Sequence, residues 1–414
     1  MTEVAVSPCG FDVEAVRADF PILHQQVNGH PLVYLDNAAT TQKPEAVIEA
    51  ISRYYREDNS NVHRGAHALA DRATAKFEAV RQWVAEFIQS PGSEQIIWTR
   101  GTTESINLVA ACWGRNNLTA GDRVLVSAME HHSNIVPWQL VAAATGAVVE
   151  PIPVLANGAL DMQALAAMLD SRVKMLAIGH VSNALGSINP VEEIIPMAHA
   201  VGAKVLVDGA QAISHWPVDV QALDCDFYAF SAHKVFGPTG LGVLYGKRDL
   251  LEAMPPYQGG GEMIESVSFA GTTFNQLPYK FEAGTPDIAG VIGFGAAIQY
   301  LNRLDRKAAH AHEQALLAYA EEKAAACDDL IIVGDSGNKA SVLSFLIRGV
   351  HPQDLGLLLD KQGVAVRTGN HCAQPIMEQF GIPGTVRASF SFYNTFEEVD
   401  RLFAAIDKAR EFLC

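Results

Sequence analysis

The chain has 414 residues, 49% of them hydrophobic, with a formal net charge of −16. That much apolar material excludes a disordered chain and suits about two or three packed units. The acidic balance argues against nonspecific nucleic-acid binding and polybasic membrane docking, and no apolar run approaches the roughly 18 residues that span a bilayer.

Met1-Thr2-Glu3-Val4 has neither a basic region nor a long apolar core, so no signal peptide is expected. Six cysteines (Cys9, Cys112, Cys225, Cys327, Cys372 and Cys414) are scattered without a CxxC pair. This suits a reducing cytoplasm rather than a disulfide framework or a zinc site. Fourteen histidines without a His-Glu-x-x-His pattern give metal hydrolysis no support.

The first thirty residues are expected to pack on a smaller carboxy-terminal domain. From about 95 to 250, short apolar runs alternate with helical patterns. Ile96-Ile97-Trp98, Arg123 to Val126, Val173 to Ile178, Lys204 to Val207 and Phe227 to Phe230 read as buried strands. One intervening helix is predicted with Asn189 as N-cap and Pro190 at its first position, ending near Gly202. The alternation predicts an α/β fold with a mostly parallel sheet covered on both faces. The Gly/Pro-rich stretches Pro255 to Gly261 and Phe281 to Pro286 read as functional loops, and helical patterning resumes at about Ala289. The last hundred or so residues read as α+β, closing on a helix with the capping box Thr395-x-x-Glu398 that runs to Phe412. The expected division is 1–30 packing on the small domain, 31–300 as the large domain, and 301–414 as the small one.

Chemistry gathers at the predicted strand ends, where such sheets bind ligands. One strand ends in Asp208 and another in Ser231-Ala232-His233-Lys234. Pyridoxal phosphate (PLP) needs that pair: a lysine for its aldehyde and a carboxylate to keep the pyridine nitrogen protonated. Gly101-Thr102-Thr103 follows a third strand and opens a helix, which makes an anion site with free amides and hydroxyls. Ser231 and His233 flank the lysine and suit the same phosphate. His131 or His132 suits stacking on the ring and proton transfer; residue type does not choose between them. Gln211, three residues beyond Asp208, and Asn183, after another strand, suit the cofactor's phenolic oxygen. Cys372, in the loop Arg367-Thr368-Gly369-Asn370-His371-Cys372-Ala373-Gln374-Pro375, is a candidate nucleophile beside Arg and His, though a lone loop cysteine is more often an incidental thiol. Arg387 opens a strand-like run and suits either a carboxylate clamp or a surface salt bridge.

Taken together, these motifs resemble the cysteine desulfurase/selenocysteine lyase family, a class-V aminotransferase-like branch of the fold-type I PLP enzymes, and among them the group II, Suf-type desulfurases. The resemblance runs from Tyr34-Leu35-Asp36-Asn37-Ala38-Ala39-Thr40 to the carboxy terminus. It includes Asn61-Val62-His63-Arg64-Gly65, Glu130-His131-His132-Ser133-Asn134, Val207-Asp208-Gly209-Ala210-Gln211 and Arg367-Thr368-Gly369-Asn370-His371-Cys372. Ala232 stands where relatives commonly have glycine, and Asn370 where histidine or glutamine is common.

The resemblance implies a large domain with a seven-stranded sheet and a small domain carrying the cysteine loop. It implies Lys234 carrying PLP, Asp208 on the pyridine nitrogen, His131 on the ring and Gln211 on the phenolic oxygen. Thr102, Thr103, Ser231 and His233 would hold the phosphate, with Thr285 reaching the other subunit's cofactor in a homodimer. Arg387, Asn183 and Arg367 would bind the substrate carboxylate, and Cys372 would accept sulfur. The implied reaction converts L-cysteine to L-alanine, with selenocysteine lyase activity as an alternative and a SufE- or SufU-type acceptor protein for iron–sulfur assembly. A silent scaffold of such an assembly is the rival from another class.

Overall fold

A computed structural model describes residues 10–413. Seven strands form the central sheet: β1 (Ile96–Thr99), β2 (Arg123–Ser127), β3 (Val148–Ile152), β4 (Val173–Gly179), β5 (Lys204–Asp208), β6 (Phe227–Ser231) and β7 (Gly242–Gly246). Their order is β1-β7-β6-β5-β4-β2-β3. The strands from β6 to β3 run parallel, and β7 lies antiparallel between β6 and β1.

Alternation along the strands divides the core into two layers. Leu125, Ile178, Val205 and Phe230 join one apolar cluster, while Val124, Ala177, Leu206 and Ala229 join another. Successive strand side chains point to opposite faces, so both faces are covered, as the apolar runs require.

β3 and β7 were not among the expected strands. β3 is a half-exposed edge carrying Pro151, and β7 is bracketed by glycines, so neither has the signature of a buried strand. Gly242 pairs with both Thr99 and Ser231, and a Cβ there would lie 2.4 Å from Gly101 Cα. The missing side chain lets the Gly101 turn sit against the sheet.

Helix α1 (Thr102–Val109) follows that turn. Helix α2 (Val191–Ala200) starts one residue later than predicted, with Pro190 as N-cap in place of Asn189. Asn189 instead donates from Nδ2 to the Gly179 carbonyl at 2.7 Å, which ties its side chain to the end of β4 and away from a capping role. Helix α3 (Ile288–Arg303) resumes after the loops.

The carboxy-terminal sheet contains β8 (Leu330–Ile332), β9 (Val342–Ile347), β10 (Arg367–Gly369) and β11 (Thr385–Ser389), in the order β8-β9-β11-β10. Helix α4 (Phe396–Leu413) opens on the predicted capping box: Thr395 Oγ1 accepts the Glu398 N–H at 3.2 Å, and Glu398 Oε2 accepts the Thr395 N–H at 3.1 Å. Val33–Tyr34 pairs in parallel with Val364–Ala365, and Val33 and Leu35 join the carboxy-terminal core. The segment just before Asp36 is therefore part of the carboxy-terminal core. Upstream, Phe20 packs on Phe236, Tyr300, Phe392 and Tyr393. Cys9 and Cys414 lie outside the described residues.

Candidate active site

The carboxyl ends of β1, β2, β4, β5 and β6 open on one cavity of about 310 Å³, closed on the opposite side by β11 and the Cys372 loop. Its lining includes Thr102, Thr103, His131, Asn183, Asp208, Gln211, Ser231, His233, Lys234, Arg367, Cys372 and Arg387. Of the residues named from sequence for the site, Thr285 and His132 lie outside this lining. Thr285 is the more remote. It is exposed beside a second cavity of about 450 Å³, on a loop whose Glu282 is held by the buried Arg81 guanidinium at 2.6 and 2.9 Å.

Lys234 is half-buried and lines the cavity. Burial pulls its amine down to about 8, against the pull of Asp208, which favours the charged form. Asp208 is buried at the end of β5, and burial raises its carboxyl, opposed by the Ala210 N–H at 2.9 Å and by Lys234. His131 is pushed down to about 4, first by burial and then by Lys234, so its ring is neutral near pH 7. Its Nδ1 is engaged by Ser133 at 2.7 Å. His132 does not line the cavity, which separates two histidines that residue type alone left equivalent.

At the α1 end, Ser231 Oγ accepts the Thr102 N–H at 2.8 Å and lies 2.7 Å from Thr102 Oγ1. His233 Nδ1 meets Thr40 Oγ1 at 3.2 Å, and burial lowers the ring to about 4. Gln211 Nε2 donates to the Ala38 carbonyl at 2.8 Å, which leaves its Oε1 for other partners.

Arg387 lies in the middle of β11 and is only 2% exposed, so it is neither at a strand start nor in a surface salt bridge. Burial lowers its guanidinium to about 10, opposed by Asp36. Nη1 donates to the Asn183 carbonyl at 2.7 Å and Nη2 to Asp36 at 3.2 Å, while Nε is buried without a partner. A buried orphan N–H is costly, and a carboxylate entering the cavity would satisfy it.

Three contributors were missed from sequence. Asp36 also accepts from Arg367 at 3.1 and 3.0 Å, and so braces both arginines. Lys43, lowered to about 7 by burial, donates to the His233 carbonyl at 2.9 Å beside Lys234. Glu130, raised to about 7 by burial, accepts the Gly179 N–H at 2.9 Å and the Asn134 side chain at 2.8 Å, which ties the ends of β2 and β4 together. Asp36 and Glu130 lie within motifs that carry the resemblance, and that position was the only available signal.

A half-buried lysine opposite a buried carboxylate, a helix amino terminus and an orphan guanidinium N–H fit PLP and an amino-acid carboxylate. Residues 33–402 match the family described as Aminotransferase class-V. A protein named probable cysteine desulfurase from Vibrio cholerae is 55% identical over 402 residues, covering 97% of this chain and 99% of its own. The chain belongs to the class-V aminotransferase family, in its cysteine desulfurase branch. A cysteine desulfurase of Klebsiella pneumoniae is 52% identical over 404 residues, 97% of this chain and 99% of that protein. Among solved structures, the Escherichia coli cysteine desulfurase CsdA superposes with a TM-score of 0.91 at 46% identity, covering 98% of this chain and 100% of that one. The Thermococcus onnurineus cysteine desulfurase gives 0.91 at 39% identity, covering 96% and 98%. Class-V aminotransferases of this branch are PLP-dependent enzymes, in accord with the Lys234–Asp208 pair.

Proposed function

We propose that this chain converts L-cysteine to L-alanine with PLP and keeps the sulfur on Cys372 as a persulfide. One observation carries the reading. A single cavity has Lys234 and Asp208 on its floor, the orphan Nε of Arg387 in its wall and the exposed Cys372 at its rim. A plain aminotransferase has no use for that cysteine.

PLP, when bound, supplies an electron sink next to the substrate's α-carbon. Lys234 would hold it, with Asp208 at the pyridine nitrogen, the neutral His131 on the ring and Gln211 at the phenolic oxygen. Thr102, Thr103, Ser231 and His233 would take the phosphate. Arg387 grips the substrate carboxylate through Nε, helped by Asn183 and Arg367. Lys234 Nζ, lowered towards neutrality, takes the α-proton. Cys372 Sγ then bonds to the substrate sulfur as the Cβ–S bond breaks. That electron pair stays with carbon, which is protonated to give L-alanine. L-cysteine and one thiol thus become L-alanine and one persulfide.

The exposed position of Thr285, outside its own subunit's cavity, supports a homodimer in which it reaches the partner's phosphate site. The short Cys372 loop supports delivery to a docking acceptor protein of the SufE or SufU type for iron–sulfur assembly. Selenocysteine suits the same cavity, because selenium leaves more readily.

The test is single-turnover alanine release from L-cysteine with mass spectrometry of the Cys372 peptide. Alanine plus one added sulfur atom on that peptide is the expected result. Alanine without the added sulfur would move the acceptor elsewhere. No alanine at all would defeat the reading and favour selenocysteine or a silent scaffold.

A further inference from the structure

His132 has no part in the chemistry above, yet it makes two hydrogen bonds to the Cys372 loop. Its backbone N–H donates to the Cys372 carbonyl at 2.7 Å, and its ring Nε2 accepts the Gln374 N–H at 3.0 Å. Gln374 opens the short helix Gln374–Gln379, so the imidazole satisfies an N–H that has no partner within that helix. An accepting Nε2 fixes the tautomer: the ring is neutral with its proton on Nδ1.

The loop needs this support. His371 and Cys372 lie at φ +53° and +55°, two successive non-glycine residues in the left-handed region. Side chains disfavour that conformation, and it persists only where the surroundings over-determine it. Asn183 Nδ2 holds the His371 carbonyl at 2.6 Å, and Asn370 Oδ1 accepts the Cys372 N–H at 3.0 Å. His132 ties down the remaining side from β2's unit, across the cavity mouth.

We propose that His132 is the positioning residue of the sulfur acceptor. Its clasp on Cys372 and Gln374 holds the left-handed pair and keeps Sγ at the rim. The proposal rests on Cys372 as acceptor for its functional half only, because the clasp itself is conformational.

The test compares the holoenzyme with His132→Leu, which removes the acceptor nitrogen, and His132→Gln, whose amide oxygen has similar reach. One net hydrogen bond corresponds to about fivefold. In His132→Leu, amide exchange at Gln374 should quicken about fivefold and single-turnover persulfide formation should slow about fivefold. Exchange of the substrate α-proton with solvent, which precedes Cys372, should not change, and His132→Gln should restore both affected rates. Parental Gln374 exchange in His132→Leu, failure of glutamine to rescue, or an equal loss of α-proton exchange would each overturn the proposal. Should His132→Leu not fold, His132→Asn, whose amide stops short of Gln374, replaces it under the same criteria. Faster Gln374 exchange with no persulfide in the parent would uphold the clasp and overturn the desulfurase reading instead.

Discussion

The floor and the rim of the cavity are built differently. On the floor, Lys234, Asp208 and His131 sit at the ends of buried strands, and burial is the largest influence on the ionisation of each. At the rim, Cys372 is exposed between the buried His371 and Ala373, and hydrogen bonds to backbone atoms set the conformation of its loop. The floor's chemistry thus depends on a low dielectric, while the rim's depends on a conformation. A change at one end should leave the other end's signature intact.

The largest effect should come from Lys234→Ala, with alanine release falling by about ten-thousandfold. The lysine-linked cofactor absorbance should be lost, while iodoacetamide should alkylate Cys372 at the parental rate. Cys372→Ala should invert that pattern. Persulfide should vanish and alanine release fall by about a thousandfold, while the cofactor spectrum and α-proton exchange persist. Next comes Arg387→Ala, which should lower kcat/KM for L-cysteine by about a hundredfold, mostly through KM, because a buried charge-assisted contact is lost. An unchanged KM would move the carboxylate grip away from β11.

The pH profile isolates the floor. Only the neutral amine of Lys234 captures an aldehyde, and burial places its midpoint at about 8. Cofactor uptake by the apoprotein should therefore rise about tenfold per pH unit below that midpoint and level above it. His131, neutral above about 4, should add no inflection between pH 5 and 8. The smallest effect should come from Thr395→Ala, which removes one half of the α4 capping box at a cost of about 1 kcal/mol in denaturant unfolding. Its kcat should match the parent, because the cap touches neither floor nor rim.

The features legible in the sequence were local ones. Asp208 stood out because it ends an apolar run, Lys234 because it closes the polar segment just after another, and the α4 cap because its two partners lie three residues apart. Asp36 and Lys43 had no such signal, since their partners are 331 and 190 residues away. Arg387 read as a possible surface cation because nothing nearby in sequence shows that β9 and β10 flank it. His131 and His132 differ only in what they face, which a sequence does not record. Pro151 and the glycines around β7 hid two strands by imitating turns.

One connection bears on the order of folding. Arg17 bonds to the Tyr393 carbonyl across 376 residues, and Val33–Tyr34 finds its β partner only at Val364–Ala365. During synthesis both amino-terminal segments must wait, with Val33 and Leu35 exposed, until nearly the whole chain has emerged. Such long-range closure is slow and leaves apolar surface open to association in the interval. The cavity is lined from Ala38 to Arg387, so no amino-terminal fragment that stops short of β11 contains it. The catalytic centre is therefore among the last parts of the molecule to be assembled.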